Sequence, residues 1–115
     1  RAWAEEYFWI PHRGVHRGVG GIFYDHLENS SDALFEQNFG LTRDVGEAFL
    51  DIFPKLVRRR MNMEYTPEQK QAQRRWRGLY AEFNLVYDRG TTFGLKTGGN
   101  VDAILMSLPP EVAWD

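Results

Sequence analysis

The sequence predicts an α+β fold in which an antiparallel sheet is flanked by helices. Segments typical of strands and helices follow in the order strand, strand, helix, helix, strand and a final helix, without the regular alternation of parallel units. Hydrophobic residues make up 43% of the 115-residue chain and charged residues 26%, an ordinary globular composition for one domain. The chain opens at Arg1 and stops abruptly after Asp115, so we expect a partial domain of a larger sheet in a longer polypeptide.

The first two strands are predicted at residues 5–10 and 21–25, paired as an irregular hairpin. Large apolar residues follow one another in the first segment up to Pro11, a pattern typical of a strand covered on both faces. Four glycines occur within residues 12–21, and a helix would lose about 1 kcal/mol for each of them relative to alanine. This segment is therefore the expected loop at the tip of the hairpin.

A polar connector at residues 28–32 precedes the first predicted helix. Thr42 is its expected N-cap, and apolar residues then recur at helical spacing as far as the three arginines at residues 58–60. Pro54 falls inside this stripe, so the helix is expected to kink or restart there.

The second predicted helix has a clear start signal. Thr66 supplies a capping hydroxyl, Pro67 suits the first helical position and Gln69 occupies the capping-box position. The helix is predicted to run to about Gly78. Residues 80–87 are rich in aromatic and branched side chains, which favours a strand.

The remaining elements are short. A turn is predicted at residues 88–90, followed by a short strand at 91–95 and a second glycine-rich turn at 97–100. Apolar residues at helical spacing predict a last helix over residues 101–108, which ends before Pro109.

Several classes of function are excluded or disfavoured by composition. The absence of cysteine excludes disulfides, thiolate nucleophiles and cysteine-based metal sites. No apolar run approaches the roughly 18 residues of a transmembrane segment. The net charge of -2 argues against attraction of the whole domain to nucleic acid.

Two polar, glycine-rich loops carry the residues suited to binding an anion. The residues concerned are His12, Arg13, His16 and Arg17 in the first loop, closely followed by Asp25 and His26, and Asp88, Arg89, Lys96, Gly98, Gly99 and Asn100 in the second. Arginine offers a planar fork that matches a carboxylate, and glycine lets backbone N–H groups approach a ligand. The alternative is that the glycines serve turns, the arginines are solvated and Asp88 caps its own turn. His12 and His16 have a metal-ligand spacing only on a helix, which the glycines disfavour.

A second charged region lies at residues 55–77, which contain eight basic side chains and only two acidic ones. This pattern is compatible with a non-catalytic anion- or RNA-binding module. A solvated helix face is the alternative that we favour, because the aromatic residues are not interleaved with the basic ones.

Four long motifs, in the same order, resemble the oxygen-dependent coproporphyrinogen III oxidase family, in its C-terminal part. They are Y-F-W-I-P-H-R-G at residues 7–14, R-G-V-G-G-I-F-Y-D at 17–25, E-F-N-L-V-Y-D-R-G-T at 82–91, and F-G-L-K-T-G-G-N at 93–100 with I-L-M-S-L-P-P at 104–110. The family's N-terminal portion, with the histidine usually assigned as proton donor, is not in this sequence, and we expect the segment alone to be inactive.

The resemblance implies the oxidative decarboxylation of two propionates of coproporphyrinogen III to vinyl groups, giving protoporphyrinogen IX in haem biosynthesis. Molecular oxygen would be the co-substrate, with no organic cofactor required and metal involvement left open. The resemblance also implies a homodimer, a broad antiparallel sheet covered by helices on both sides, and a location in the cytoplasm or mitochondrion. No nucleic acid or membrane partner is implied.

Site residues are carried over from the family only where the motifs match. Asp88 and Arg89 match a functionally important Asp-Arg pair, and Asp25 matches the first aspartate of a Phe-Phe-Asp-Asp motif whose second aspartate is His26 here. Gly98, Gly99 and Asn100 match a turn that contacts the substrate, and His12 matches a histidine sometimes assigned as a metal ligand. In this reading Arg89, Lys96 and the amides of Gly98 and Gly99 would hold propionates. Asp25 or Asp88 would lie near the pyrrole N–H groups and accept or stabilise a proton as electrons leave for oxygen. Aromatic strands would form the walls of the cleft.

Overall fold

The computed structural model describes residues 2–18, 20–24 and 26–115, and it confirms the α+β class. The chain divides into two compact units, Arg1–Gly21 with Tyr65–Asp115, and Ile22–Glu64. The elements of the first unit are α1 (Ala2–Tyr7), β1 (Trp9–Ile10), a 3₁₀ turn (Pro11–Arg13), β2 (Val15–His16), α3 (Pro67–Val86), α4 (Arg89–Lys96) and α5 (Val101–Leu105). The second unit contains α2 (Asp32–Arg60). Every helix in the described ranges is too short or too polar to span a bilayer.

The hairpin is much shorter than the sequence predicts. Strands β1 and β2 pair antiparallel with Trp9 opposite His16, whereas residues 21–24 belong to no strand and Asp25 lies outside the described residues. The chain reverses early because Gly14, in the left-handed region with φ +62°, donates its N–H to the Ile10 carbonyl at 3.0 Å. The strand predicted at residues 5–10 was wrong for its first half, because residues 5–7 belong to helix α1.

Helix α3 provides the surface on which the first unit packs. Its capping box is formed as predicted, with the Thr66 hydroxyl accepting from the Gln69 N–H and the Gln69 side chain accepting from the Thr66 N–H. The buried cluster consists of Ala4, Phe8, Ile10 and Phe83, with Leu79 packed against it. The phenyl ring of Phe83, 3% exposed, meets that of Phe8 edge to face at 5.4 Å.

The strand predicted at residues 80–87 was wrong, because α3 continues through Gly78 to Val86. Helical spacing places Leu79 and Phe83 on one side, where both join the core, so tertiary packing overrides the β propensity of this aromatic segment. Gly78 does not end the helix. It is buried against the backbone of Ala113, where a side chain would not fit.

The short strand predicted at residues 91–95 was also wrong. This segment is helix α4, whose first turn is capped by Asp88. Gly94 lies so close to Ile104 of α5 that an added Cβ would stand 2.9 Å from its Cδ1 atom. The last predicted helix is confirmed, although α5 ends at Leu105 rather than at residue 108.

Helix α2 starts eleven residues earlier than predicted. Ser31 is its N-cap and accepts from the Leu34 N–H at 3.3 Å, while Thr42 lies inside the helix and donates its hydroxyl to the Asn38 carbonyl at 3.0 Å. Pro54 lies within the helix without ending it. The predicted end at the three arginines is confirmed.

The packing of Gly78 leads to a testable contrast between two glycines. In Gly78→Ala the new methyl group would collide with the Ala113 carbonyl oxygen, so we expect the free energy of unfolding to fall by about 1–3 kcal/mol. Gly46 in α2 has open space around a Cβ, and Gly46→Ala should raise stability by up to about 1 kcal/mol through helix propensity. Chemical denaturation of the complete protein measures both. Equal effects of the two substitutions would contradict the close approach at Gly78.

Candidate active site

Asp88 lies at the junction of α3 and α4 and caps α4. Its Oδ2 accepts a hydrogen bond of 2.7 Å from the Thr91 N–H, and its own N–H donates to the Phe83 carbonyl at 3.0 Å. The capping role that the sequence left open is therefore present. A carboxylate has two acceptor oxygens, and Oδ1 of Asp88 has no hydrogen-bond partner within the described chain.

Arg89 follows Asp88 and lies at the rim of a cleft of about 330 Å³. The cleft is lined by Glu6, Tyr7, Trp9, Pro11, Phe83, Tyr87 and Arg89. Arg89 is exposed and makes no hydrogen bond or ion pair with any described residue. Tyr7, Trp9, Phe83 and Tyr87 are its aromatic residues, of which only Trp9 lies in a strand. The binding of a substrate in this cleft stays a prediction.

The Gly98–Asn100 turn joins α4 to α5. Gly98 has φ +76°, and the Gly99 N–H donates to the Gly94 carbonyl at 2.9 Å, which closes α4 as a Schellman motif does. Asn100 caps α5 by accepting from the Ala103 N–H at 3.1 Å. Of the two amide donors expected to meet a propionate, that of Gly99 is therefore already used within the protein.

Helix α4 separates the two halves of the second predicted loop. Asp88 and Arg89 stand together at its N-terminal end, whereas Lys96 and the Gly98–Asn100 turn are at its C-terminal end. Eight residues of helix span about 12 Å. The predicted site residues therefore lie at the two ends of one helix rather than in one compact cluster.

His12 belongs to a hydrogen-bonded network that ties the 3₁₀ turn to α3. Its Nδ1 lies 2.7 Å from the Tyr87 hydroxyl and its Nε2 lies 2.5 Å from Glu82 Oε1. Arg13 Nε donates to both oxygens of Glu82, at 2.7 and 2.8 Å. No group of three metal-binding side chains occurs among the described residues, and a metal at His12 would have to displace one of its protein partners. The metal role of His12 stays a prediction.

The side chain of Glu82 is only 10% exposed, yet it remains ionised. The hydrogen bond from Arg13 lowers the pKa of Glu82 most, burial opposes this, and the hydrogen bond from His12 lowers it further. The same contact raises the pKa of Arg13. His16, the other histidine of the first loop, accepts a 3.1 Å hydrogen bond from the Gly18 N–H and takes no part in this network.

Arg17 of the first loop is half-buried and lies against two aromatic rings of the core. Its guanidinium carbon lies 3.6 Å from the centroid of Phe8, 4.8 Å from that of Tyr80 and 5.6 Å from that of Phe83. Burial lowers the pKa of Arg17, and the charge of Asp88 counteracts this. The sequence placed Arg17 among candidate anion-binding residues but gave no sign of its stacking, because the aromatic partners lie more than sixty residues away in α3 or belong to the N-terminal turn.

Helix α1, strand β1 and the end of α3 thus bring aromatic side chains together beside Arg89. The family model described as coproporphyrinogen III oxidase matches residues 1–115. The chain therefore belongs to the coproporphyrinogen III oxidase family.

Three similar proteins are named oxygen-dependent coproporphyrinogen-III oxidase. Those of Rickettsia bellii (strain OSU 85-389) and Rickettsia africae (strain ESF-5) are each 57% identical, over 110 and 111 residues. That of Rickettsia rickettsii (strain Sheila Smith) is 56% identical over 111 residues. In each case 96% of this chain is covered, and 38%, 39% and 39% of the respective relatives. The chain thus spans about two fifths of their length.

The Glu82 network makes a pH-dependent contribution to stability that can be measured. A carboxylate whose folded-state pKa is lowered stabilises the fold above its unfolded pKa of about 4.3 and loses that contribution as the pH falls through the folded value. We therefore expect Glu82→Gln to reduce the free energy of unfolding at neutral pH, with a difference from wild type that shrinks toward about pH 3. Exposed Glu36→Gln in α2 is the control and should show a small effect throughout. A Glu82→Gln difference that stays constant over this pH range would contradict the ionised network.

Proposed function

We propose that residues 1–115 are the C-terminal part of a single enzyme domain that converts coproporphyrinogen III to protoporphyrinogen IX by oxidative decarboxylation. One observation carries the assignment to this site: Arg89, without a protein partner in the described chain, stands beside Asp88 at the rim of the aromatic cleft. The substrate has a flat macrocycle and four propionates, which fit an aromatic wall with one arginine, Arg89, beside it. Membership of the oxidase family over the whole chain supports the same reaction.

The chemistry assigns distinct tasks to the two neighbouring residues. Each reacting propionate loses carbon dioxide and two electrons to become a vinyl group, and atom balance then requires that oxygen take up two electrons and two protons as hydrogen peroxide. Asp88 Oδ1 would accept hydrogen bonds from pyrrole N–H groups, and its charge would stabilise the positive charge that develops as the ring gives up electrons. Arg89 would hold a propionate through its planar fork. Oxygen is the co-substrate, and an organic cofactor is not needed for this balance.

The C-terminal end of α4 and the turn that follows it would supply a second set of contacts. Lys96 lies in the last turn of α4, and the Gly98 N–H has no hydrogen-bond partner among the described residues. Both would bind a second propionate, about one helix length from Arg89. Asp25 remains a second candidate for the carboxylate role, and Asn100 a further substrate contact.

The RNA-binding alternative receives less support. The basic residues of 55–77 divide between the end of α2 and the first half of α3, which belong to different compact units. Several of them are already paired, such as Lys55 with Asp51 at 2.5 Å and Arg74 with Glu111 at 2.8 Å. Family membership over all 115 residues favours the oxidase. We infer that nucleic acid is not a partner.

Asp88→Asn in the complete protein tests the proposed reaction. Asparagine is as good an N-cap as aspartate, so the melting temperature should change little. Loss of the negative charge should reduce turnover of coproporphyrinogen III tenfold for every 1.4 kcal/mol of lost transition-state stabilisation, and we expect at least one such factor. Asp102→Asn, in the exposed first turn of α5, is the matched control and should keep its activity. Near-normal turnover of Asp88→Asn would reduce Asp88 to a cap and move the role to Asp25.

The homodimer implied by the family resemblance is assigned to the region around α5. Met106, which follows this helix, is 82% exposed, and Val101 at its start is also exposed. We expect Met106→Asp to weaken the dimer, because a charge would be buried without a partner. Sedimentation of the complete protein measures this, with Met63→Asp near the end of α2 as a control. An unchanged dimer in folded Met106→Asp would place the interface elsewhere.

A further inference from the structure

Tyr87 belongs both to the aromatic cleft and to the hydrogen-bonded network of His12. It is the C-cap residue of α3 and lines the cleft of about 330 Å³ together with Trp9 and Phe83. Its hydroxyl oxygen lies 2.7 Å from Nδ1 of His12. Tyr87 thus connects the network to the wall of the cleft.

The ionised carboxylate of Glu82 sets the direction of the hydrogen bonds in this network. Arg13 donates to both oxygens of Glu82 and lowers its pKa, so this side chain can only accept. The Nε2 atom of His12, 2.5 Å from Glu82, must therefore be the donor. A neutral imidazole has a single N–H, so its Nδ1 keeps a lone pair and accepts from the Tyr87 hydroxyl.

This polarity makes the Tyr87 oxygen a hydrogen-bond acceptor for a ligand. Donating its hydrogen to His12 leaves the oxygen with two lone pairs. Elsewhere in the aromatic wall, Trp9 can only donate and Phe83 has no polar side-chain atom. A ligand group that meets the Tyr87 oxygen must therefore bring its own N–H or O–H.

We propose that the Tyr87 hydroxyl accepts a hydrogen bond from a pyrrole N–H of the substrate, and that His12 and Glu82 hold it in this orientation. This rests on the proposed function, in which the substrate is coproporphyrinogen III. Tyr87 directly precedes Asp88, and the backbone N–H groups of both donate to the Phe83 carbonyl. The Tyr87 oxygen and Asp88 Oδ1 would thus serve two pyrroles of one macrocycle.

Such an acceptor would distinguish the substrate from its own oxidised form. In coproporphyrinogen III the four pyrroles are joined through saturated carbons, so each N–H can tilt away from the mean plane of the macrocycle toward an acceptor on one side. Coproporphyrin III carries the same four propionates, but its two remaining N–H groups point to the centre of a conjugated ring. Tyr87 would therefore favour the reduced macrocycle, because only that form can donate to it.

The test compares the binding of the two macrocycles to the complete protein without oxygen, where the substrate is not consumed. Quenching of tryptophan fluorescence reports binding, since Trp9 lies in the cleft. Tyr87→Phe keeps the ring and removes the acceptor. We expect it to raise the Kd of coproporphyrinogen III about five- to tenfold, as for the loss of one hydrogen bond, and to leave that of coproporphyrin III within about twofold. In air, KM should rise with little change in kcat.

Three further variants separate the acceptor from general effects on the fold. Tyr65→Phe, at an exposed tyrosine before α3, should leave both Kd values within about twofold. His12→Gln should keep most of the preference for the reduced macrocycle, because one amide can donate to Glu82 and accept from Tyr87. His12→Leu should lose a large part of it, because nothing then fixes the Tyr87 hydroxyl.

The ratio of the two Kd values decides the outcome. An unchanged ratio in folded Tyr87→Phe, with normal wild-type turnover, would overturn the acceptor and leave the proposed reaction standing. An equal rise in both Kd values would overturn it as well, because Tyr87 would then act through packing alone. A lower melting temperature of His12→Leu with an unchanged ratio would overturn the positioning role of His12. Absence of wild-type turnover with a Tyr87-dependent preference for coproporphyrinogen III would overturn the reaction and support the acceptor.

Discussion

The contact between Phe8 and Phe83 is the constraint on which the first unit depends. It joins the short N-terminal hairpin to the middle of α3, and Ala4, Ile10 and Leu79 pack around it. Burying aromatic and aliphatic side chains of this size contributes about 1.5–3 kcal/mol each relative to leaving them exposed. The carbonyl of Phe83 also accepts the N–H groups of Tyr87 and Asp88, which fixes where α3 ends and α4 begins. The position of the candidate site therefore follows from this one packing contact.

Polar contacts then hold the two sides of this core in register. Glu82 is adjacent to Phe83 in α3 and binds both Arg13 and His12, two residues of the turn between β1 and β2. Arg17 follows β2, and its guanidinium carbon lies 3.6 Å from the centroid of the Phe8 ring. Because Glu82 and Arg17 are both partly or largely shielded, their orientation is set by their partners more than by solvent. The hairpin has only two short strands, β1 and β2, so its position depends on these contacts with the rest of the unit.

The sequence predicted those features of the fold that depend on local chemistry. The capping box at Thr66, the arginine-rich end of α2 and the last helix were confirmed because caps and charge at helix ends act within a few residues. The strands predicted at residues 80–87 and 91–95 were wrong. Aromatic and branched residues favour strands only weakly, and contacts with residues distant in the sequence decide which secondary structure they adopt. Gly78 illustrates the same limit, since the need for glycine at this position comes from Ala113, thirty-five residues later in the sequence.

The candidate site could be predicted in part. The motif resemblance pointed to Asp88, Arg89 and the Gly98–Asn100 turn. The structure places Arg89 at a cleft, next to Asp88 in the chain. It also shows what the motifs do not convey: Asp88 is a helix cap, and the Gly99 N–H is already used. The stacking of Arg17 and Arg77 on Tyr80 was not predictable, because it depends on a helix where the sequence indicated a strand.

We propose that the cleft lined by Phe83, Tyr87 and Arg89 receives the ring and one acid group of a tetrapyrrole. The most direct measurement is a crystal structure of the complete protein with coproporphyrin III bound. We expect the macrocycle against Phe83 and Tyr87, with one carboxylate on Arg89. A macrocycle bound elsewhere, with this cleft covered by other parts of the protein, would contradict this proposal.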